Sequence, residues 1–295
     1  MPDYIDEFSS YLSTVKNSSE NTKASYLRDI QHYCAFLGQK RIQDPKNADQ
    51  KIISAYLMDL ASKGKSDSTV MRTKASIKSF YSFLMQFGIV EINPVTNIKT
   101  TKTVQKMPQI LTNEEVDLLL SQPDTTDYKG IRDKAMLEIL YATGIRVTEL
   151  LDLNVDDLNT EIGFIKCKNS RGERVIPIYP SAIAALRAYL KQARSILLSD
   201  IAQPSLFVNV KGERMTRQGF FKIVKFYQEK AGIKKQITPH TLRHSFAMHL
   251  LQNGADVESV REMMGHADIS STQLYVRIIK QQISDVYLRC HPRAQ

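Results

Sequence analysis

Apolar residues recur at helical spacing in four runs within residues 4–87. Breakers at Asn17–Ser19, Pro45 and Gly64–Ser66 separate the runs, and Ser19 and Ser68 are predicted N-caps. The apolar positions are Ile5, Phe8, Leu12 and Val15; Tyr26, Ile30, Tyr33 and Leu37; Ile52, Ile53, Tyr56 and Leu60; and Ile77, Phe80, Tyr81 and Leu84. This pattern predicts a small bundle of four helices.

The periodicity stops in residues 97–108, which are polar and basic. We interpret this stretch as an interdomain linker, and its lysines could also follow a phosphate backbone. We therefore expect a helical N-terminal domain over residues 1–96, a linker over 97–108 and a second domain over 109–295.

The second domain begins with a helical pattern. Thr112 and Glu115 have the spacing of a capping box before an apolar run. Gly144 interrupts the helical pattern, and a further helix is predicted over Arg146–Leu151. Most of residues 181–198 and 216–295 also have helical periodicity.

Short runs of strand-forming residues interrupt these helices. Phe164–Cys167 and Val175–Ile178 flank Asn169–Gly172 and predict a β-hairpin, and Phe207–Val208 is a predicted edge strand. The predicted fold class is therefore mainly α in two domains: a helical bundle followed by an α+β domain with a small antiparallel sheet.

Composition favours a polyanionic partner. The 295 residues are 42% hydrophobic and 24% charged, as in ordinary globular proteins, which excludes wholesale disorder. The net charge is +9, and the basic excess is spread over both predicted domains. Nucleic acid is the leading partner class, with a merely soluble basic protein as the alternative.

The cysteines and the N-terminus predict a cytoplasmic protein. Cys34, Cys167 and Cys290 are far apart, without the spacing of a zinc site or a disulfide framework. Residues 1–11 carry three acidic side chains where a signal peptide is basic, and no apolar run reaches the ~18 residues of a membrane span. We expect neither secretion nor a membrane partner.

The densest cluster of polar residues lies at 238–244. With Pro239 in the first turn of a helix, His240, Arg243 and His244 fall on one face, which suits a phosphate group. His240 and His244 also have the spacing of two zinc ligands, but Thr241 stands where the metalloprotease motif has its Glu.

Four segments in order resemble the motifs of the tyrosine recombinase (phage integrase) family, and the similarity to its Xer subfamily runs along the whole chain. The segments are Ala142–Leu150, His240–Arg243, Met263–His266 and Ser271–Tyr275. The resemblance implies a SAM-like core-binding domain and a catalytic domain that clamp a DNA duplex. It also implies the catalytic residues Arg146, Lys168, His240, Arg243, His266 and the nucleophile Tyr275.

These residue types suit phosphoryl transfer. Arg146 and Arg243 would neutralise the charge that develops on the phosphate oxygens, so the prediction includes no metal and no cofactor. Tyr275 would attack, and His240 and His266 would bind the phosphate and assist proton movement.

The leaving 5′-hydroxyl group needs a general acid, which in the family is a Lys on the hairpin. Lys166 and Lys168 are both candidates, and strand alternation places them on the same face. We favour Lys168 because its segment matches the family pattern better.

The predicted function is site-specific recombination through a 3′-phosphotyrosine intermediate, in Xer-type chromosome dimer resolution at a dif-like site. The alternatives are an integrase or transposase of a mobile element, a type IB topoisomerase and a catalytically silent DNA-binding protein. The implied partners are a double-stranded DNA site, a homo- or heterotetramer with a second Xer-type recombinase, and an FtsK-type DNA translocase. Apolar residues within 279–288 further predict a C-terminal helix that docks into the neighbouring protomer.

Overall fold

The structure, a computed structural model, describes residues 4–98, 108–169, 172–265, 272–276 and 278. It divides into two compact units, Met1–Gln105 and Lys106–Gln295. Most of the predicted linker, the hairpin turn at 170–171, His266 and the predicted docking helix at 279–288 lie outside the described residues. Within the described ranges, no helix is long and apolar enough to cross a membrane.

The N-terminal unit contains the four predicted helices. They are α1 (Tyr4–Thr14), α2 (Glu20–Gln39), α3 (Gln50–Ser62) and α4 (Asp67–Gln86), with a 3₁₀ turn at Pro45–Asn47. Two details of the prediction are wrong. Ser66, not Ser68, caps α4, because its hydroxyl accepts the amide N–H of Thr69. Val15 follows the end of α1 and is 56% exposed, so the apolar stripe ends at Leu12.

Aromatic side chains fill the core of this unit. Phe8 packs edge-on against Phe80, and both rings are fully buried. The hydroxyl groups of Tyr33 and Tyr81 lie 2.9 Å apart, and Tyr81 donates to the Pro45 carbonyl at 2.7 Å. The buried phenols therefore have partners, as buried polar groups require.

The second unit consists of helices around one small sheet. The helices are α5 (Asn113–Leu120), α6 (Tyr128–Thr143), α7 (Val147–Asp152), α8 (Pro180–Ala188), α9 (Arg194–Leu197), α10 (Arg217–Lys230), α11 (Pro239–Gln252) and α12 (Val257–Met264). A π-helical turn at Tyr189–Ala193 joins α8 to α9, and residues 272–276 are helical. The predicted capping box at Thr112 and Glu115 is present at the start of α5.

The sheet is antiparallel in the order β1 (Leu158–Asn159), β2 (Phe164–Asn169) and β3 (Gly172–Pro177). The predicted hairpin is β2–β3, and the sequence pattern missed the two-residue strand β1. The predicted edge strand at Phe207–Val208 is wrong: both residues are buried in the core, and Val208 makes only an isolated bridge with Arg214. The turn at residues 209–212 follows directly and leaves no length for a ladder.

Candidate active site

Helix α11 carries three of the polar side chains at 238–244, but not in equivalent surroundings. Thr238 caps the helix by accepting the Thr241 N–H at 3.2 Å, and Pro239 occupies its first turn. His240 is exposed, Arg243 is 5% exposed, and His244 lies between these extremes. The helix therefore presents His240 to solvent and directs Arg243 into the protein.

Arg146 enters the site from the start of α7. Gly144 ends α6 in the left-handed conformation, with φ 57°, and its carbonyl accepts Nη1 of Arg243. A Cβ on Gly144 would lie 2.2 Å from the Phe246 ring, so glycine is required there. Arg146 is the N-cap of α7 rather than its first residue, and its amide donates to Glu149 at 2.8 Å.

Three guanidinium groups bind three successive carbonyl oxygens at the end of α12. Arg174 Nε donates to Met263 at 2.9 Å, Arg243 Nη2 to Met264 at 2.7 Å, and Arg146 Nη2 to Gly265 at 3.0 Å; the three arginines are named the arginine cluster. Carbonyls at a helix C-terminus carry partial negative charge and attract cations. The cluster thus fixes the residue that directly precedes His266.

Glu149 ties the arginine cluster together. It is 6% exposed and accepts two bonds from Arg174 at 2.9 Å, in addition to one from Arg146 Nη1 at 3.2 Å. A bidentate carboxylate–guanidinium pair fixes both groups in one plane. Two of the three guanidinium groups thus share this carboxylate, whose charge also acts on the third, Arg243, and the three positive charges exceed its single negative charge.

The pKa values show the effect of this field. Burial lowers the pKa of Arg243 to about 10, and the charge of Arg146 adds to the effect. Partial loss of water lowers the pKa of His240, with Arg243, Arg217 and Arg146 acting in the same direction. A site where cations disfavour one another is suited to an anion such as a phosphodiester.

Tyr275 lies in the helical segment 272–276 and is 2% exposed. Its hydroxyl oxygen is 2.7 Å from Nδ1 of His244. Burial raises the pKa of Tyr275, while the nearby charge of Arg243 acts in the opposite direction. The predicted nucleophile therefore sits against α11, within the field of the arginine cluster.

The hairpin lysines pair with carboxylates other than Glu149. Lys166 and Lys168 are both exposed, whereas Ile165, which precedes Lys166, and Cys167, which lies between the two lysines, are buried. Nζ of Lys168 lies 2.9 Å from Asp157, and Nζ of Lys166 lies 3.9 Å from Glu173. The hydrogen bond and charge of Asp157 raise the pKa of Lys168. The assignment of Lys168 as general acid stays a prediction.

Sequence reasoning missed Arg174 and the contact between His244 and Tyr275. Arg174 pairs with the buried Cys167 in the β2–β3 register and alternates with the buried Ile176. A charged residue on the inward face of a strand is a signal that alternation could have revealed. Among the described residues, no group of three His, Cys, Asp or Glu is placed to hold a metal ion.

Family comparison agrees with this geometry. Residues 109–282 match the phage integrase family, and residues 5–88 match the phage integrase N-terminal SAM-like domain. The chain belongs to the phage integrase family. It is a DNA breaking-and-rejoining enzyme of the tyrosine recombinase type, and its partner is double-stranded DNA.

Full-length relatives place it with the Xer recombinases, as its sequence motifs predict. It is 44% identical to tyrosine recombinase XerD of Listeria innocua serovar 6a over 298 residues, which cover 100% of both chains. XerD of Oceanobacillus iheyensis is 44% identical over 98% of both chains. The XerH site-specific recombinase, solved bound to palindromic difH DNA after cleavage, superposes with a TM-score of 0.77 at 25% identity, over 95% of this chain and 84% of that one.

Proposed function

We propose that this recombinase resolves chromosome dimers at a dif-like site, with Tyr275 as nucleophile and Arg146, Lys168, His240, Arg243 and His266 as its catalytic residues. One observation carries the assignment of the site. The tyrosine hydroxyl contacts His244 of α11, and the residue before it on that helix, Arg243, belongs to the arginine cluster, in which Arg146 and Arg174 share the Glu149 carboxylate. This arrangement supports attack on a phosphodiester.

The proposed reaction conserves the energy of the phosphodiester bond. The Tyr275 oxygen attacks phosphorus and its proton passes to His240 or His266, the histidines assigned to proton movement. The bond from phosphorus to the 5′-oxygen breaks, and Lys168 donates a proton to the departing oxygen. The product is a 3′-phosphotyrosine and a free 5′-hydroxyl. A 5′-hydroxyl from the partner duplex then reverses these steps, so strand exchange consumes no nucleotide.

The arginine cluster supplies the electrostatic part of catalysis. Arg146 keeps about a third of its side chain exposed, whereas Arg243 is buried. Arg146 can therefore turn toward a phosphate that arrives from solvent, while Arg243 acts from a fixed position below it. Preorganised cations need little rearrangement as charge develops on the phosphate oxygens.

Full-length similarity to proteins named XerD supports the chromosomal role. In this role four protomers act on two sites, either alone or with a second Xer-type recombinase. An FtsK-type DNA translocase would activate the assembly.

Strand exchange between two labelled duplexes tests the function. The substrate is the recombination site of the host's chromosome terminus, and its scrambled sequence is the control. We expect covalent adducts and exchanged strands with the first duplex only. Relaxation of supercoils without exchange would indicate a topoisomerase, exchange at the ends of a mobile element alone would indicate an integrase, and binding without adducts would indicate a silent DNA-binding protein.

A further inference from the structure

His244 is not among the catalytic residues proposed above, yet its ring makes a close polar contact to the nucleophile. Nδ1 lies 2.7 Å from the Tyr275 hydroxyl oxygen, and the two rings are tilted by 54° with centroids 5.7 Å apart. With Tyr275 2% exposed, little water competes for this hydrogen bond. The ring thus fixes the reactive oxygen against α11.

The position of His244 on α11 places this contact next to a fixed positive charge. His244 follows Arg243 directly, and Arg243 is bound at both ends of its guanidinium, to the carbonyls of Gly144 and Met264. The charge of Arg243 also acts on Tyr275. A hydrogen bond to the next residue of the same helix therefore sets the distance between the nucleophile and a fixed cation.

We propose that His244 is a positioning residue that holds the Tyr275 hydroxyl for attack through the hydrogen bond at Nδ1. This inference rests on the proposed function, because it assigns a role within that same site.

The surroundings of His244 indicate that it positions the hydroxyl rather than removing its proton. Burial lowers the pKa of His244 to about 4, and His240 and Arg243 on the same helix add positive charge. The ring is therefore neutral near pH 7, with one nitrogen able to hydrogen-bond the phenol. A base this weak does not retain the proton of a phenol whose own pKa is raised.

A second histidine on α11 provides a matched control. Nδ1 of His249 lies 2.8 Å from the hydroxyl of Tyr141, and its Nε2 lies 2.9 Å from the Leu111 carbonyl. This pair repeats the His–Tyr hydrogen bond away from the nucleophile. Its loss reports what such a bond contributes to the fold alone.

The test compares three variants in single-turnover cleavage of the terminus-site duplex. H244F keeps a ring but removes the hydrogen bond, and we expect cleavage to slow by about 100-fold, as for a misplaced reactive group. H244N retains a polar group near the position of Nδ1 and is expected to recover most of the rate, with the wild-type shape of the pH–rate profile. H249F is expected to lose thermal stability but to cleave at the wild-type rate.

Three results would overturn the proposal: wild-type cleavage by H244F, H244N as slow as H244F, or equal slowing by H249F. The second of these would mean that His244 moves a proton.

A double-mutant cycle of H244F and Y275F in thermal unfolding without DNA separates this inference from the proposed function. Coupling between the two changes supports the contact even if the wild type forms no adduct with the chosen DNA. Additive effects contradict the contact and the inference with it.

Discussion

Glu149→Gln removes the carboxylate that Arg146 and Arg174 of the arginine cluster share, while the shape of the side chain stays nearly the same. Glu149 accepts hydrogen bonds from the Arg146 backbone, from the Arg146 guanidinium and from two nitrogens of Arg174. Removing one partner of a buried ion pair costs ~3–5 kcal/mol, because the remaining charge is left without compensation. Gln retains one acceptor oxygen, so we expect the lower end of this range.

The stability effect is measurable by thermal unfolding. For a unit of this size, ~1 kcal/mol corresponds to a shift in unfolding temperature of ~2–4 °C, so a loss of ~3 kcal/mol lowers it by ~6–12 °C. Cleavage should fall further than stability explains, because Arg146 and Arg174 lose the group that orients them. Displacement of a positioned group by ~1 Å can cost ~100-fold in rate.

Glu138→Gln is the matched control for this prediction. Glu138 is 3% exposed and forms an ion pair with Lys134 at 2.7 Å in the same unit, outside the arginine cluster. We expect a comparable loss of stability with nearly unchanged cleavage at a temperature where both variants are folded. The reasoning is refuted if Glu149→Gln cleaves as fast as the wild type, or if Glu138→Gln cleaves as slowly as Glu149→Gln.

Three further predictions concern Lys168, His244 and Gly265. Lys168→Ala should cripple cleavage of a normal phosphodiester and be rescued by a 5′-thiol leaving group of lower pKa; the same rescue in Lys166→Ala alone would move the general acid to Lys166. The pKa of His244 is about 4 in the folded protein and near 6.5 in the unfolded chain, so the unfolded chain gains the proton first as the pH falls. The free energy of unfolding should therefore fall by ~1–2 kcal/mol between pH 6.5 and 4, after allowance for partial exposure. The same pH dependence of stability in H244N would contradict this. Gly265→Ala places a Cβ 2.9 Å from the Arg174 side chain at a residue with φ 61°, and it should slow cleavage. Gly254→Ala, at a residue with φ 92° and open space around the added Cβ, should lower stability only. Equal cleavage rates for the two variants would contradict the role of the arginine cluster.

Much of the fold was predictable because local patterns and tertiary structure agree. The apolar runs of the N-terminal unit mark the four helices, since their stripes are the faces buried in the core. The capping box at Thr112 and the hairpin β2–β3 also follow from local signals. Phe207–Val208 failed because two buried strand-forming residues do not by themselves provide a partner strand.

The candidate site was predictable in its members but not in its connections. The motifs predict Arg146, Arg243 and Tyr275 as site residues, but a linear pattern does not show which carbonyl groups the arginines bind. Arg174 lies 89 residues before its partner Met263, so only the folded chain relates the two. The contact between His244 and Tyr275 likewise depends on how residues 272–276 pack against α11.

The covalent adduct tests the central claim most directly. Wild-type protein and Y275F are incubated with a labelled terminus-site duplex, denatured and separated, after the binding of both to the duplex has been measured. The account predicts equal binding, an adduct with the wild type whose phosphate is attached to Tyr275 through a 3′ linkage, and no adduct with Y275F. An adduct that survives denaturation in Y275F, or a wild-type adduct that maps to another residue, would contradict it.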